Sequence, residues 1–140
     1  MCKLLIAVCS LTAVAISNAK MQTVEIRGML FCGDRNNSVS DVKLILYDKD
    51  RFLNPDDFIA STRTTANGTF VIKGKGNEAS TADFLLKIYH DCNDGWAPCQ
   101  KEVEFMIPDK YINNDSYIDM GDINMEPGFS KEERKCGSII

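Results

Sequence analysis

The sequence predicts an all-β fold, a sandwich of seven short strands, on three observations. Apolar residues recur with a period of two along several runs, the mark of a strand with one buried face. Turn-forming residues separate these runs at short intervals. No stretch reads as a long amphipathic helix, and Asp109-Lys110-Tyr111-Ile112 has room for one helical turn at most. A small barrel is the alternative architecture.

The first run places Val24, Ile26, Leu30 and Cys32 on one face, with Gly28 between them and Glu25 and Arg27 opposite. The second alternates Val42, Leu44 and Leu46 with Lys43, Ile45 and Tyr47. Ile59 to Thr65 is polar and threonine-rich, which suits an edge strand;. Asn67-Gly68 then supplies two residues that tolerate positive φ, as a tight hairpin requires, before Phe70 and Ile72;. In the fifth run Phe84, Leu86, Ile88 and His90 alternate with Leu85, Lys87, Tyr89 and Asp91. Val103, Phe105 and Ile107 alternate with Glu102, Glu104 and Met106 in the sixth. The seventh, Tyr117 to Met125, alternates less cleanly. Asn54-Pro55-Asp56-Asp57 and Pro108-Asp109 are further turn signals;.

The N-terminus has a different character. Lys3 precedes an apolar run from Leu4 to Ile16, and Ser17-Asn18-Ala19 offers small residues before a cut after Ala19. This is the pattern of a secretory signal peptide over residues 1–19. The run is too short to span a bilayer as a helix. The expected organisation is therefore a signal peptide over 1–19, a sandwich domain over 20–129 and a polar tail over 130–140 tethered through Cys136. Cleavage removes one lysine and no acid, taking the formal net charge from −4 to −5. An acidic balance argues against nucleic acid as a partner. Asn36, Asn67 and Asn114 each open a glycosylation sequon, a further pointer to an extracellular location;.

Cleavage also removes Cys2 and Cys9, leaving Cys32, Cys92, Cys99 and Cys136. Four cysteines in a small secreted domain read as two disulfides, and sequence permits three pairings. The favoured pairing is Cys92–Cys99 with Cys32–Cys136. The first pair flanks a turn between adjacent strands, and the second would tie down the polar tail.

The segment Tyr89 to Gln100 concentrates the candidate chemistry: the sole histidine, His90, and the sole tryptophan, Trp96, stand with Asp91, Asn93, Asp94, Cys92 and Cys99. His90 and Cys92 share a strand face by period, but a catalytic thiol must be free and partly ionised, and a disulfide removes it. His90 is expected to be a polar rim residue that orients the loop by hydrogen bonding. Asp91, Asn93, Gly95 and Glu102 echo a calcium loop, yet its obligatory glycine is replaced by Trp96. Zinc lacks ligands once the cysteines are paired. No metal and no cofactor is expected. Trp96 has two readings: an exposed anchor for a partner or membrane interface, or a ring packed over the disulfide or Pro98. The packed ring is the default. Lys87, Lys101, Lys110 and the basic residues of 131–135 are interleaved with glutamates and read as a mixed solvated surface;.

Several stretches together resemble the nematode transthyretin-like family. They are Val24 to Cys32, Val42 to Asp50, Thr65 to Phe70, Leu86 to Gly95 followed by Pro98-Cys99-Gln100, Ile107 to Tyr111, and the late Cys136. The resemblance implies a prealbumin-like Greek-key sandwich and secretion. It associates the chain with extracellular binding, such as bridging exposed phospholipid to a phagocytic receptor or acting as a parasite-secreted effector. The related hydroxyisourate hydrolases use several histidines and a C-terminal Tyr-Arg-Gly-Ser; this chain has one histidine and ends Lys135-Cys136-Gly137-Ser138-Ile139-Ile140. The expected function is thus non-enzymatic binding of an extracellular partner or an apolar or lipid ligand. A small hydrolase or thiol enzyme is the alternative.

Overall fold

The computed structural model describes residues 21–49, 56–77, 83–113 and 116–136. The segment expected to be a signal peptide (1–19), Asn54-Pro55, Asn114 and the final four residues lie outside the described range. Within it the strands are β1 (Met21–Cys32), β2 (Asp34–Ser38), β3 (Lys43–Asp48), β4 (Asp57–Arg63), β5 (Thr69–Asn77), β6 (Phe84–His90), β7 (Gln100–Met106), β8 (Ile118–Asn124) and β9 (Glu132–Lys135). The one helical turn sits at Asp109–Tyr111. They form two sheets packed as a sandwich. One contains β2, β1, β5 and β8; the other runs β4-β3-β6-β7-β9.

The period-two runs became strands because each buries at least one face; β3 and β6 bury most of both, with Ile45, Leu85 and Tyr89 covered on the outward side. Val24, Ile26, Leu30, Phe70 and Ile72 from the first sheet meet Leu44, Leu46, Phe84, Leu86, Ile88 and Val103 from the second in one core. Burying each such side chain contributes roughly 1.5–3 kcal/mol. The run expected over Ile59 to Thr65 is realised as the edge strand β4 over Asp57–Arg63, with Thr64 and Thr65 in the connection that follows it. β8 pairs with β1 in parallel, shifting register where Gly28 intervenes. A Cβ at Gly28 would lie 2.8 Å from the ring of Phe70, so glycine admits the core aromatic there.

Four features differ from expectation. β2 and β9 add strands to the seven read from the sequence, and β9 lies within the stretch taken as a polar tail. Neither has an apolar face to reveal it; each is held by its ladder to β1 or β7. The Asn67-Gly68 turn does not close a hairpin. It carries the chain from β4 in one sheet to β5 in the other, with Gly68 at φ 77° and its N–H bonded to the Thr65 carbonyl at 2.9 Å. The disulfides are Cys32–Cys92 and Cys99–Cys136, with Cα atoms 5.8 and 4.7 Å apart. The favoured pairing fails because Cys32, ending β1, lies across the sandwich from the end of β6, while the β9 ladder delivers Cys136 to the start of β7.

The connections β1–β2, β2–β3, β4–β5 and β6–β7 therefore gather at one end of the sandwich. Buried Thr64 ties two of them together: its Oγ1 donates to the Val39 carbonyl at 2.7 Å and accepts from the Val42 N–H at 2.9 Å.

Candidate binding loop

The β6–β7 connection, residues 91–99, is built as two successive turns. The Asp94 N–H donates to the Asp91 carbonyl at 3.1 Å, and the Ala97 N–H donates to the Asp94 carbonyl at 3.0 Å. Asn93 and Gly95 adopt φ of 53° and 54°. These are left-handed conformations that asparagine tolerates and glycine adopts freely. Trp96 follows them at the tip with its side chain fully exposed. The default reading of a packed ring is thus corrected: the loop turns outward, and the disulfide and Pro98 do not cover the indole.

The base of the loop is fixed at several points. Cys92 is tied to β1 and Cys99 to the end of β9. Arg134 of β9 donates through Nη2 to Oδ1 of Asp94 at 2.6 Å and through Nη1 to Oδ2 at 2.9 Å. It also donates to the Cys99 carbonyl at 2.8 Å. That two-point hydrogen bond holds the Asp94 carboxyl below its usual range;. Lys101 Nζ donates to the Cys92 carbonyl at 3.1 Å, and Gln100 Nε2 to Asp91 Oδ2 at 3.1 Å.

His90 is not a rim residue. Its ring is buried, 1% exposed, because it continues the inward parity of Phe84, Leu86 and Ile88 beneath β9. It does orient the loop: Nδ1 accepts from the Cys92 N–H at 3.2 Å. That bond makes Nδ1 the acceptor and leaves the proton of the neutral ring on Nε2. Nε2 faces Glu132 Oε2 at 3.6 Å, and neither atom has a hydrogen-bond partner among the described residues. Burial lowers the pKa of the ring, opposed by the negative charge of Glu132;.

The remaining residues singled out in the sequence disperse. Asp91 and Asn93 are exposed on the loop. Glu102 turns to the outer face of its sheet, where its carboxylate lies 3.9 Å from Lys87 Nζ. There it helps push the Tyr89 hydroxyl to a higher pKa, an effect led by burial. The lysines are each engaged locally: Lys87 approaches Glu104, Lys110 lies over the Tyr111 ring and Lys135 pairs with Glu133. Asn36 and Asn67 are exposed at the same end as Trp96, and Ser38 of the first sequon bonds the Ala66 carbonyl beside the second. Sequence reasoning missed Arg134 and Glu132, whose roles depend on β9 being a strand.

The sequence pattern described as the transthyretin-like family matches residues 27–108. The chain belongs to the transthyretin-like family. Transthyretin-like protein 5 of Caenorhabditis elegans is 38% identical over 138 residues, covering 96% of this chain and 98% of the relative. Transthyretin-like protein 33 of the same nematode is 38% identical over 119 residues, 82% of each chain. Transthyretin-like protein 46 is 34% identical, covering 94% of this chain and 73% of the relative. The matched span holds both halves of the transthyretin-like loop, from Tyr89 to Gln100.

Proposed function

We propose that this transthyretin-like protein is a secreted, non-enzymatic binding protein whose contact element is the β6–β7 loop. The observation that carries the reading is Trp96, fully exposed at the tip of a loop fixed by two disulfides and the Arg134 fork. An indole held out on a pre-ordered loop loses little conformational entropy on binding, and tryptophan is enriched at the energetic centres of interfaces. Support for secretion comes from the apolar leader, the sequons at Asn36 and Asn67, and the pairing of all four domain cysteines;. The binding role is favoured over a thiol enzyme because Cys92 is bonded to Cys32 and His90 is sealed from solvent.

The partner is an extracellular protein or an apolar or lipid ligand. The test compares wild type with Trp96→Ala for retention of components of extracellular fluid and for co-sedimentation with anionic and neutral vesicles. The expected result is weaker retention or co-sedimentation with the melting transition unchanged. Equal binding by both proteins would overturn the loop reading, and a preference for anionic vesicles would identify the lipid arm.

A further inference from the structure

The two disulfides have different surroundings. Cys92 belongs to the hydrophobic core and Cys32 packs against it, so that bridge is part of the packed interior. Cys99 is buried but stands outside the core cluster, and Cys136 is exposed. A thiolate must reach one sulfur of a bridge to displace the other, so access decides which bridge exchanges.

The strand that leads to Cys136 has little else to hold it. β9 reads Glu132-Glu133-Arg134-Lys135 and ends the five-stranded sheet. It has no apolar side chain to bury. Its attachments are four ladder pairs to β7, from Val103 to Gln100, and the hydrogen bonds of Arg134. The approach of Glu132 to His90, at 3.6 Å, makes no hydrogen bond. Upstream the chain is better anchored, because Phe129 packs edge to face on Phe105 with centroids 5.6 Å apart. The Cys99–Cys136 bridge thus closes the far end of a strand whose near end is held independently.

We propose that Cys99–Cys136 is an exchange site for an extracellular dithiol, and that opening it releases β9 and loosens the loop carrying Trp96 while Cys32–Cys92 keeps the sandwich closed. One thiolate of the reductant attacks Sγ of Cys136, the exposed partner. The disulfide bond breaks, Cys99 leaves as a thiolate and takes a proton, and a mixed disulfide joins Cys136 to the reductant. The second thiol of the reductant then displaces Cys136, which also ends as a thiol. The reductant becomes its internal disulfide, and two electrons and two protons have passed to the protein. With β9 detached, Asp94 and the Cys99 carbonyl lose Arg134, so the loop keeps its anchorage at Cys92 and loses the one at Cys99. The consequence for binding rests on the loop being the contact element; the exchange and the release do not.

Trp96 is the sole tryptophan, so its fluorescence anisotropy reports on the loop. The test exposes the folded protein to graded dithiothreitol, quenches by alkylation and maps the labelled peptides. The expected result is labelling of Cys99 and Cys136 at least about tenfold faster than of Cys32 and Cys92, with the far-ultraviolet β signal retained. Trp96 anisotropy falls, and amide exchange rises from Gln100 to Val103. With glutathione as the reductant, the mixed disulfide maps to Cys136. A double variant, Cys99→Ser with Cys136→Ser, shows the lowered anisotropy without reductant. Labelling of all four cysteines together, or of Cys32 and Cys92 first, would overturn the proposal. So would selective opening that leaves both Trp96 anisotropy and the Gln100 to Val103 amides unchanged. None of these results bears on whether Trp96→Ala weakens binding, so the loop reading stands or falls separately.

Discussion

Arg134 and Asp94, forty residues apart, meet through two charge-assisted hydrogen bonds of 2.6 and 2.9 Å. This contact joins the last strand to the loop that carries Trp96. Arg134→Met removes both bonds and the third to the Cys99 carbonyl. The Asp94 carboxyl should then titrate at higher pH, back toward its ordinary value. Its lowered pKa in the folded protein contributes stability that is present above the ordinary value and lost as pH falls through the folded one. Carboxyl titration by NMR checks the shift, and faster amide exchange at Asp94 and Ala97 checks the loosening. Arg134→Lys should behave largely like the methionine variant, because an ammonium cannot supply the planar fork.

His90 makes acid the weak side of this fold. Its pKa is lowered from the usual 6.5 by burial, so the folded state takes up its proton later than the unfolded chain does. Stability from this group is fully present above 6.5 and is lost as pH falls from there toward the folded value. The charged groups acting on the ring are Glu132, Lys101 and Asp91. The melting temperature should therefore drop on going from pH 7.5 to 5.5. His90→Asn, which keeps an acceptor for the Cys92 N–H, should flatten that slope. An equally steep slope in the variant would count against His90 as its source.

The two disulfides span 60 and 37 residues. The loop-entropy relation assigns about 4.3 kcal/mol to the first and about 3.8 to the second. The closed segments do not overlap, so the costs of removal should be close to additive. Replacing Cys32 and Cys92 by alanine should destabilise slightly more than replacing Cys99 and Cys136, with the difference read by urea unfolding. Removing the second pair should also free β9 and raise amide exchange along β7. Peptide mapping without reduction checks the connectivity directly.

Gly68 and Gly95 share positive φ, at 77° and 54°, but differ in their surroundings. A Cβ at Gly68 would lie 2.4 Å from the Leu30 carbonyl oxygen, whereas at Gly95 nothing lies within 4 Å. Gly95→Ala should cost about 1–2 kcal/mol, the penalty of a left-handed conformation alone. Gly68→Ala adds a backbone clash and should cost clearly more. Denaturant midpoints at equal slope give the comparison.

The fold was legible where burial imposed a rhythm. Val24, Ile26 and Leu30, like Phe84, Leu86 and Ile88, declared their strands because each pair of neighbours had to face opposite ways. Asp34–Ser38 and Glu132–Lys135 carried no such rhythm, since edge strands held by a ladder need no apolar face. The loop was legible as a place but not as a geometry. Parity put His90 on the inward face, yet its chemistry suggested the rim, and only β9 explains how the ring is covered. The orientation of Trp96 follows from backbone angles at Asn93 and Gly95 that composition permits but does not dictate. Cysteine pairing depends on how two sheets stack, a relation between residues far apart in the chain.

The order of the bridges along the chain has a consequence for synthesis. A chain that emerges N-terminus first presents Cys32 of the domain alone, and the next domain cysteine to appear, Cys92, is its native partner. Cys99 then waits for Cys136, the last to arrive. Nearest-in-time pairing and native pairing coincide, so this domain can acquire its correct bridges in sequence, without first forming and then undoing a wrong one.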